Sequence, residues 1–284
     1  MNIINDPQEM RCCADHLRAE GKTIGLVPTM GALHAGHMSL VHAALRENDV
    51  AAVSIFVNPT QFAPHEDFGK YPRTFQSDIE QLKAAGVSYV YAPSAESMYP
   101  EDFVTYVEIG KVTEGLCGGS RPHFFRGVAT VVMKLFHAVK PHRAYFGQKD
   151  VQQCAVIKRM VRDMDMGVDI IILPVVREPD GLAMSSRNAY LSPEDRRQAL
   201  AISRALFEAG ERMCGGERDS TELIRGVREC MAALQIDYVS LVDAESMQEV
   251  CRIEGKVALA AAAVLPTARL IDNIIYDPVE NRVF

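Results

Sequence analysis

A chain of 284 residues suits one large domain or, more comfortably, two of ordinary size. Its 48% apolar and 24% charged residues form an ordinary globular balance, which excludes a disordered or fibrous protein. Thirty Lys and Arg against 37 Asp and Glu leave a formal charge of −7, and no stretch reads as a basic arm. Nucleic acid is therefore not an expected partner, and an anionic substrate must be held by local positive groups.

The longest purely apolar run, Val257 to Leu265, has nine residues. A membrane-spanning helix needs roughly 20. The start, Met-Asn-Ile-Ile-Asn-Asp-Pro, lacks a basic segment followed by an apolar stretch, so no secretory signal is expected. Seven cysteines, at 12, 13, 117, 154, 214, 230 and 251, include no Cys-x-x-Cys pair. An odd number without that spacing argues against a disulfide framework or a zinc cage and fits a reducing compartment. The chain reads as a soluble cytoplasmic protein with no membrane partner.

In chain order, Thr23 to Val27 reads as a strand. Gly36 to Asn48 follows as a helix with Leu40, Val41, Ala44 and Leu45 on one face. Val50 to Val57 is an almost unbroken apolar run, as expected for a strand covered on both sides. Thr74 can cap a helix running to Ala85, and Val87 to Tyr91 is the next strand. Gly127 to Val139 reads as a helix, Arg143 to Phe146 as a short strand, Asp150 to Met164 as a helix and Val168 to Leu173 as a strand. This alternation predicts a doubly wound, Rossmann-like parallel sheet with right-handed crossovers over residues 1–175. Ligands of such sheets bind beyond the carboxyl ends of the strands.

After Pro174 the pattern changes. A polar loop, Arg177 to Leu191, precedes two helical segments, Pro193 to Cys214 and Ser220 to Leu234, with Gly215-Gly216 as the stop between them. Tyr238 to Val242, Lys256 to Val264 and Arg269 to Tyr276 then read as strands of a smaller sheet. Residues 176–284 are thus expected to form a second, smaller α/β domain.

Directly after the first of these strands comes Pro28-Thr-Met-Gly-Ala-Leu-His-Ala-Gly-His37. Gly31 and Gly36 let the backbone approach a ligand, and a helix opening near His37 offers free N–H groups and a positive dipole end to phosphate. His34 and His37, three apart, can both donate to charge that develops on that phosphate. By itself the spacing leaves open a Gly-rich turn with two incidental histidines. The segment resembles the His-x-Gly-His signature of the nucleotidylyltransferase superfamily. Phe56-Val-Asn-Pro-Thr-Gln-Phe62, Tyr71-Pro-Arg-Thr74, Phe146-Gly-Gln-Lys-Asp-Val-Gln-Gln153 and Arg177-Glu-Pro-Asp-Gly-Leu-Ala-Met-Ser-Ser-Arg-Asn188 follow in order. Together they resemble the pantoate–β-alanine ligase family over nearly the whole chain.

The resemblance implies that ATP joins pantoate to β-alanine through a pantoyl adenylate, with AMP and pyrophosphate released and Mg²⁺ required. It implies ATP contacts from Met30, Gly31, Ala32, Leu33, His34, Ala35, Gly36 and His37, from Gly147, Gln148, Lys149 and Asp150, and from Val176, Met184, Ser185, Ser186 and Arg187. His34, His37 and Lys149 would stabilise charge on the α-phosphate. Gln61 and Gln153 would hold pantoate, Gln61 also lying near β-alanine. The smaller domain would close over the larger one, and the family implies a homodimer. The metal's ligands are not implied by any motif. One residue departs from the family pattern: Phe124 stands where a His is usual, and His123 lies one position earlier. His16, His42, His65, His137 and His142 show no partner spacing and are expected to be structural or exposed.

Two other readings stay open from sequence alone. One is a superfamily relative that joins a nucleotide to a phosphorylated acceptor, which would favour Lys or Arg at positions 61 and 153. The other is a non-catalytic ATP-binding regulator that kept the fold.

Overall fold

A computed structural model describes residues 1–64 and 66–284. The chain clusters into two compact units. The first comprises Met1–Ile109, His123–Gly147 and Val156–Leu173; the second comprises Gly110–Pro122, Gln148–Ala155 and Pro174–Phe284.

The first unit opens with β1 (Asn2–Ile4) and α1 (Pro7–Ala19), neither of which apolar periodicity reveals. The carboxylate of Asp6 accepts from the N–H groups of Gln8 and Glu9 at 2.8 Å, and Pro7 fills the first helical position. Next come β2 (Ile24–Thr29), α2 (Ala35–Glu47) and β3 (Val50–Ile55). After these come α3 (Phe75–Ala85), β4 (Tyr89–Tyr91) and the single-turn α4 (Ala95–Met98). The short α5 (Leu116–Ser120) lies in the second unit, and α6 (Phe124–Val139) and β5 (Arg143–Gly147) return to the first. The helix expected from Gly127 begins one turn earlier, at Phe124. α7 (Val151–Asp163) starts in the second unit and ends in the first, which closes with β6 (Asp169–Leu173).

The six strands form one parallel sheet in the order β1-β4-β3-β2-β5-β6. From β2 the chain winds outward through β3 and β4, then crosses to β5 and β6 on the other side. The switch point between β2 and β5 is where a doubly wound sheet leaves a crevice. β3 is buried along nearly its whole length, as its apolar run requires, and α2 packs Leu40, Val41, Ala43 and Ala44 onto the sheet.

The second unit holds α8 (Pro193–Cys214), α9 (Ser220–Cys230) and the antiparallel strands β7 (Gln235–Asp243), β8 (Val257–Val264), β9 (Arg269–Asp277) and β10 (Arg282–Val283), ordered β10-β9-β8-β7. α8 has the expected bounds because its punctuation is local. Ser192 accepts from the N–H of Asp195 at 3.0 Å, Pro193 follows, and Gly215 ends the helix. α9 is shorter than its pattern suggests; a turn over Met231–Leu234 leads directly into β7. β8 is buried on both sides. Leu259, Ala261 and Ala263 face the α8–α9 core, while Ala258 and Ala260 meet Leu116, Val151 and Ala155. Those three residues account for the clustering of Gly110–Pro122 and Gln148–Ala155 with the C-terminal sheet. Among the described residues no helix is long and apolar enough to cross a membrane.

Candidate functional site

In the first unit, Met30 to His37 forms a tight turn from the carboxyl end of β2 into α2. Gly31 has φ +81°, and Ala32 takes φ +51°, a strained value for a residue with a Cβ. A buried carboxylate holds that conformation. Asp78 of α3, 1% exposed, accepts from Ala32 N–H at 3.0 Å through Oδ2 and from Leu33 N–H at 2.9 Å through Oδ1. Thr74 does not cap α3 with its side chain; its hydroxyl donates to Asp78 Oδ1 at 3.1 Å. A Cβ on residue 31 would lie 3.0 Å from Asp78 Oδ2 at a φ of +81°, so a larger residue there is strained and must displace the carboxylate.

The two histidines cap the helix they open. Nδ1 of His34 accepts from the Gly36 N–H at 3.1 Å, and Nδ1 of His37 accepts from the His34 N–H at 3.4 Å. Their ring centroids lie 4.1 Å apart. An accepting Nδ1 puts the proton of each neutral ring on Nε2. Both rings are thereby set as Nε2–H donors, the form that stabilises negative charge on a phosphate.

Gln61 lies in a 3-10 turn, Pro59–Gln61, after β3. Its amide donates to Met30 Sδ at 3.2 Å, and its carbonyl accepts from Asn58 Nδ2 at 3.0 Å. Asn58, 1% exposed, also donates to Gly127 O at 3.1 Å and accepts from the Tyr99 hydroxyl at 2.9 Å. The structure thus brings Gln61 and Met30 together and fixes the Gln amide from both ends. α6 presses on this turn at Gly127, where a Cβ would sit 2.4 Å from Thr60 O and 2.8 Å from Gln61 N. Gly127→Ala is expected to cost about 1–3 kcal/mol from overpacking. The check is the urea midpoint; a variant as stable as its parent would mean that the turn yields freely.

The second unit carries the other expected residues, apart from Gly147, which ends β5 in the first. Gln148–Asp150 is a 3-10 turn leading into α7. Asn273 of β9, fully buried, donates to Gln148 O at 3.0 Å and to Lys149 O at 2.9 Å. Gln148 Nε2 donates in turn to Asn273 Oδ1 at 3.4 Å and to Phe284 O at 3.0 Å, so its side chain is occupied within the fold. The paired glutamines of α7 divide their work. Gln152 is 5% exposed and donates to Val112 O and Gly115 O at 3.0 and 2.8 Å, whereas Gln153 stays half-exposed.

Val176 to Met184, within the expected polar loop, folds back on itself through one isolated antiparallel bridge, Arg177 to Ala183, as a short hairpin turn. Met184 N–H donates to Val176 O at 2.9 Å and Glu178 N–H to Leu182 O at 2.8 Å, with Gly181 at φ +94° in the turn. The reason lies in its charges. Arg196 of α8 reaches Glu178 at 2.6 Å and Asp180 at 2.7 Å, and Arg177 grips Asp272 of β9 with two bonds at 2.6 and 3.0 Å. Burial pushes the Asp272 carboxyl above its ordinary value, and the Arg177 guanidinium opposes that rise. Beyond the hairpin, Ser185 Oγ accepts from the Arg187 N–H at 3.3 Å and caps a 3-10 turn, Ser186–Tyr190. Lys149, Ser185 and Asp272 border one narrow gap, walled by Leu182, Ala183, Ile202 and Leu270. Lys149 of the 3-10 turn and Ser185 of the loop are thus neighbours within this unit.

His16, His42 and His137 are exposed, and His142 Nδ1 accepts from the Ile24 N–H at 2.9 Å at the start of β2. His65 lies outside the described residues. Phe124 opens α6 with its ring 4.9 Å from that of Phe125. All seven cysteines are free thiols, Cys117 and Cys154 buried. Among the described residues no three His, Cys, Asp or Glu side chains are grouped to hold a metal ion. Sequence reasoning missed Asp78, Asp272 and Asn273. The last two are visible as a polar pair inside the apolar run Leu270 to Ile275, but nothing local marks Asp78.

The family model described as pantoate-β-alanine ligase matches residues 2–275. The pantothenate synthetase of Thermotoga neapolitana is 54% identical over 278 residues, 97% of this chain and 99% of that one. That of Acetivibrio thermocellus is 49% identical over 280 residues, 98% of this chain and all of the other. Among solved structures, pantothenate synthetase from Thermus thermophilus matches with a TM-score of 0.90 at 43% identity, over 96% of this chain and 98% of that one. The pantoate-β-alanine ligase of Francisella tularensis, solved with β-γ ATP and β-alanine, gives 0.81 at 34% identity over 98% of each chain. With a family model spanning nearly its whole length and relatives at about half identity, the chain belongs to the pantoate–β-alanine ligase family.

Proposed function

We propose that the protein joins pantoate to β-alanine at the expense of ATP, releasing AMP and pyrophosphate. The observation that carries the reading is the paired histidine turn, whose two Nδ1 atoms accept within the fold and leave Nε2–H as the donor form. A pantoate carboxylate oxygen attacks the α-phosphorus, the bond to the bridging oxygen breaks, and pyrophosphate leaves. His34 and His37 stabilise the charge on that phosphate, and the Lys149 ammonium neutralises phosphate oxygens as a compact point charge. The neutral amine of β-alanine then attacks the acyl carbon of the adenylate, loses a proton and expels AMP. Gln61 and Gln153 hold pantoate, whose hydroxyls and carboxylate suit an amide that both donates and accepts.

Backbone and side-chain groups of Met30–His37, Gly147–Asp150, Val176 and Met184–Arg187 bind ATP in this reading. A Mg²⁺ ion bound through ATP would neutralise charge on the departing pyrophosphate. Asp150, beside Lys149, offers a carboxylate to a water of that ion or to a ribose hydroxyl. Residues 1–175 serve as the nucleotide- and pantoate-binding domain and 176–284 as a lid. The active form is a cytoplasmic homodimer, in keeping with seven free thiols. The test is product analysis. AMP is expected only when ATP, pantoate and β-alanine are all present, in equal amount to pantothenate. Formation of ADP would reject adenylation.

A further inference from the structure

We infer that Asp272 and Asn273 are a positioning pair that sets the two nucleotide-binding segments of the second unit against each other. The inference rests on the proposed ATP contacts of Lys149 and of Met184–Arg187. Successive residues of a strand point to opposite faces, so two adjacent side chains can serve two different neighbours. Asp272 takes the Arg177 guanidinium in two bonds at 2.6 and 3.0 Å and so anchors the turn that ends at Met184, next to Ser185. Asn273 donates to the carbonyls of Gln148 and Lys149 at 3.0 and 2.9 Å and so fixes the turn that carries the Lys149 ammonium.

Stability alone does not explain this pair. Asp272 is 4% exposed and Asn273 is fully buried, flanked by Leu270, Ile274 and Tyr276, which belong to the apolar core. A buried ion pair recovers its desolvation cost poorly, and apolar residues of similar volume commonly serve stability as well or better. What the polar pair supplies is direction. An Asn with both amide hydrogens committed holds two consecutive carbonyls in one orientation, and a two-bond Arg–carboxylate contact fixes an angle as well as a distance. Lys149 and Ser185 border the same narrow gap as Asp272, so an error in either segment shifts the other proposed ATP contacts relative to it.

The experiment uses the full-length enzyme and measures AMP release with MgATP varied at saturating pantoate and β-alanine. Asn273→Ala is expected to lower kcat/KM for MgATP by about ten- to a hundredfold, the scale of a roughly 1 Å misplacement. The kcat/KM for β-alanine is expected to stay within about twofold, since that ratio reports the attack that follows adenylation. Ile274→Val, a buried neighbour on the same strand, is the control for mere loosening and should keep the parental kcat/KM. Asp272→Asn keeps the volume but not the charge. It is expected to lower kcat/KM for MgATP similarly and to speed tryptic cleavage between residues 177 and 187 by about tenfold, because the anchor of the hairpin is weakened. If Asn273→Ala does not fold, Asp272→Asn decides the matter by the same measurements. Folded variants with parental MgATP kinetics, or a loss that Ile274→Val shares, would overturn the pair's role. A parent enzyme that forms no AMP would instead reject the proposed reaction, a different outcome.

Discussion

Replacing His37 by Ala is expected to lower turnover by about 10²–10³ while changing the affinity for MgATP far less, as removal of one preorganised donor does. The structure sharpens the test, because His37 has two jobs. Its Nδ1 accepts from the His34 N–H at 3.4 Å, a bond that closes the first turn of α2. Its Nε2–H is the group proposed to meet charge on the α-phosphate. Alanine removes both. His37→Gln separates them, since a Gln three residues after the cap can return a hydrogen bond to the cap N–H but does not carry a ring donor to the same point. If catalysis uses the imidazole, Gln should restore stability and leave turnover depressed. Parental turnover in the Gln variant would reduce His37 to a cap. His34→Ala is expected to act in the same direction, with an added loss of stability from the cap itself, about 1 kcal/mol.

Where signals are local, the sequence is a good guide to this fold. The six residues of β3 are almost all apolar and lie buried between covering layers, and α8 is bracketed by Ser192-Pro193 and Gly215-Gly216. The histidine turn is equally legible, because strand, glycines and helix start lie within about a dozen residues. Long-range partners are not. Asp78 meets Ala32 across 46 positions and Asn273 meets Gln148 across 125, and no periodicity encodes which polar residue of a helix or strand will turn inward. β1, with three residues, is too short for alternation to register, although Asp6-Pro7 marks the start of the helix after it. The Val176–Met184 hairpin shows a related limit. Its composition reads as a polar loop, and the contacts of Arg177 with Asp272 and of Arg196 with Glu178 that tie it to the rest of the unit span 95 and 18 positions.

Exchange of labelled pyrophosphate into ATP, with β-alanine left out, should require pantoate. Only a carboxylate can accept the adenylyl group in the proposed first step, and no residue of the turn offers a substitute. The two histidines spend Nδ1 on backbone N–H groups, and Ser185 accepts from Arg187 N–H at 3.3 Å, so neither is set up as an activated nucleophile with a base beside it. A covalent acyl-enzyme would need a thiol or hydroxyl so activated. Cys117 and Cys154 are buried, and Cys230, whose Sγ donates to the Glu208 carboxylate at 3.1 Å, has its thiol pushed up by that carboxylate, the reverse of thiolate activation. Exchange should therefore survive replacement of any single cysteine by Ala. It should fall by about 10²-fold or more in His37→Ala, since exchange runs the adenylation step in both directions and feels the lost donor each way. Omitting pantoate should abolish it altogether. Exchange that persists without pantoate would mean that the enzyme itself takes the adenylyl group, and exchange lost with one cysteine would point to a thioester; either result would replace the adenylate route with a covalent one.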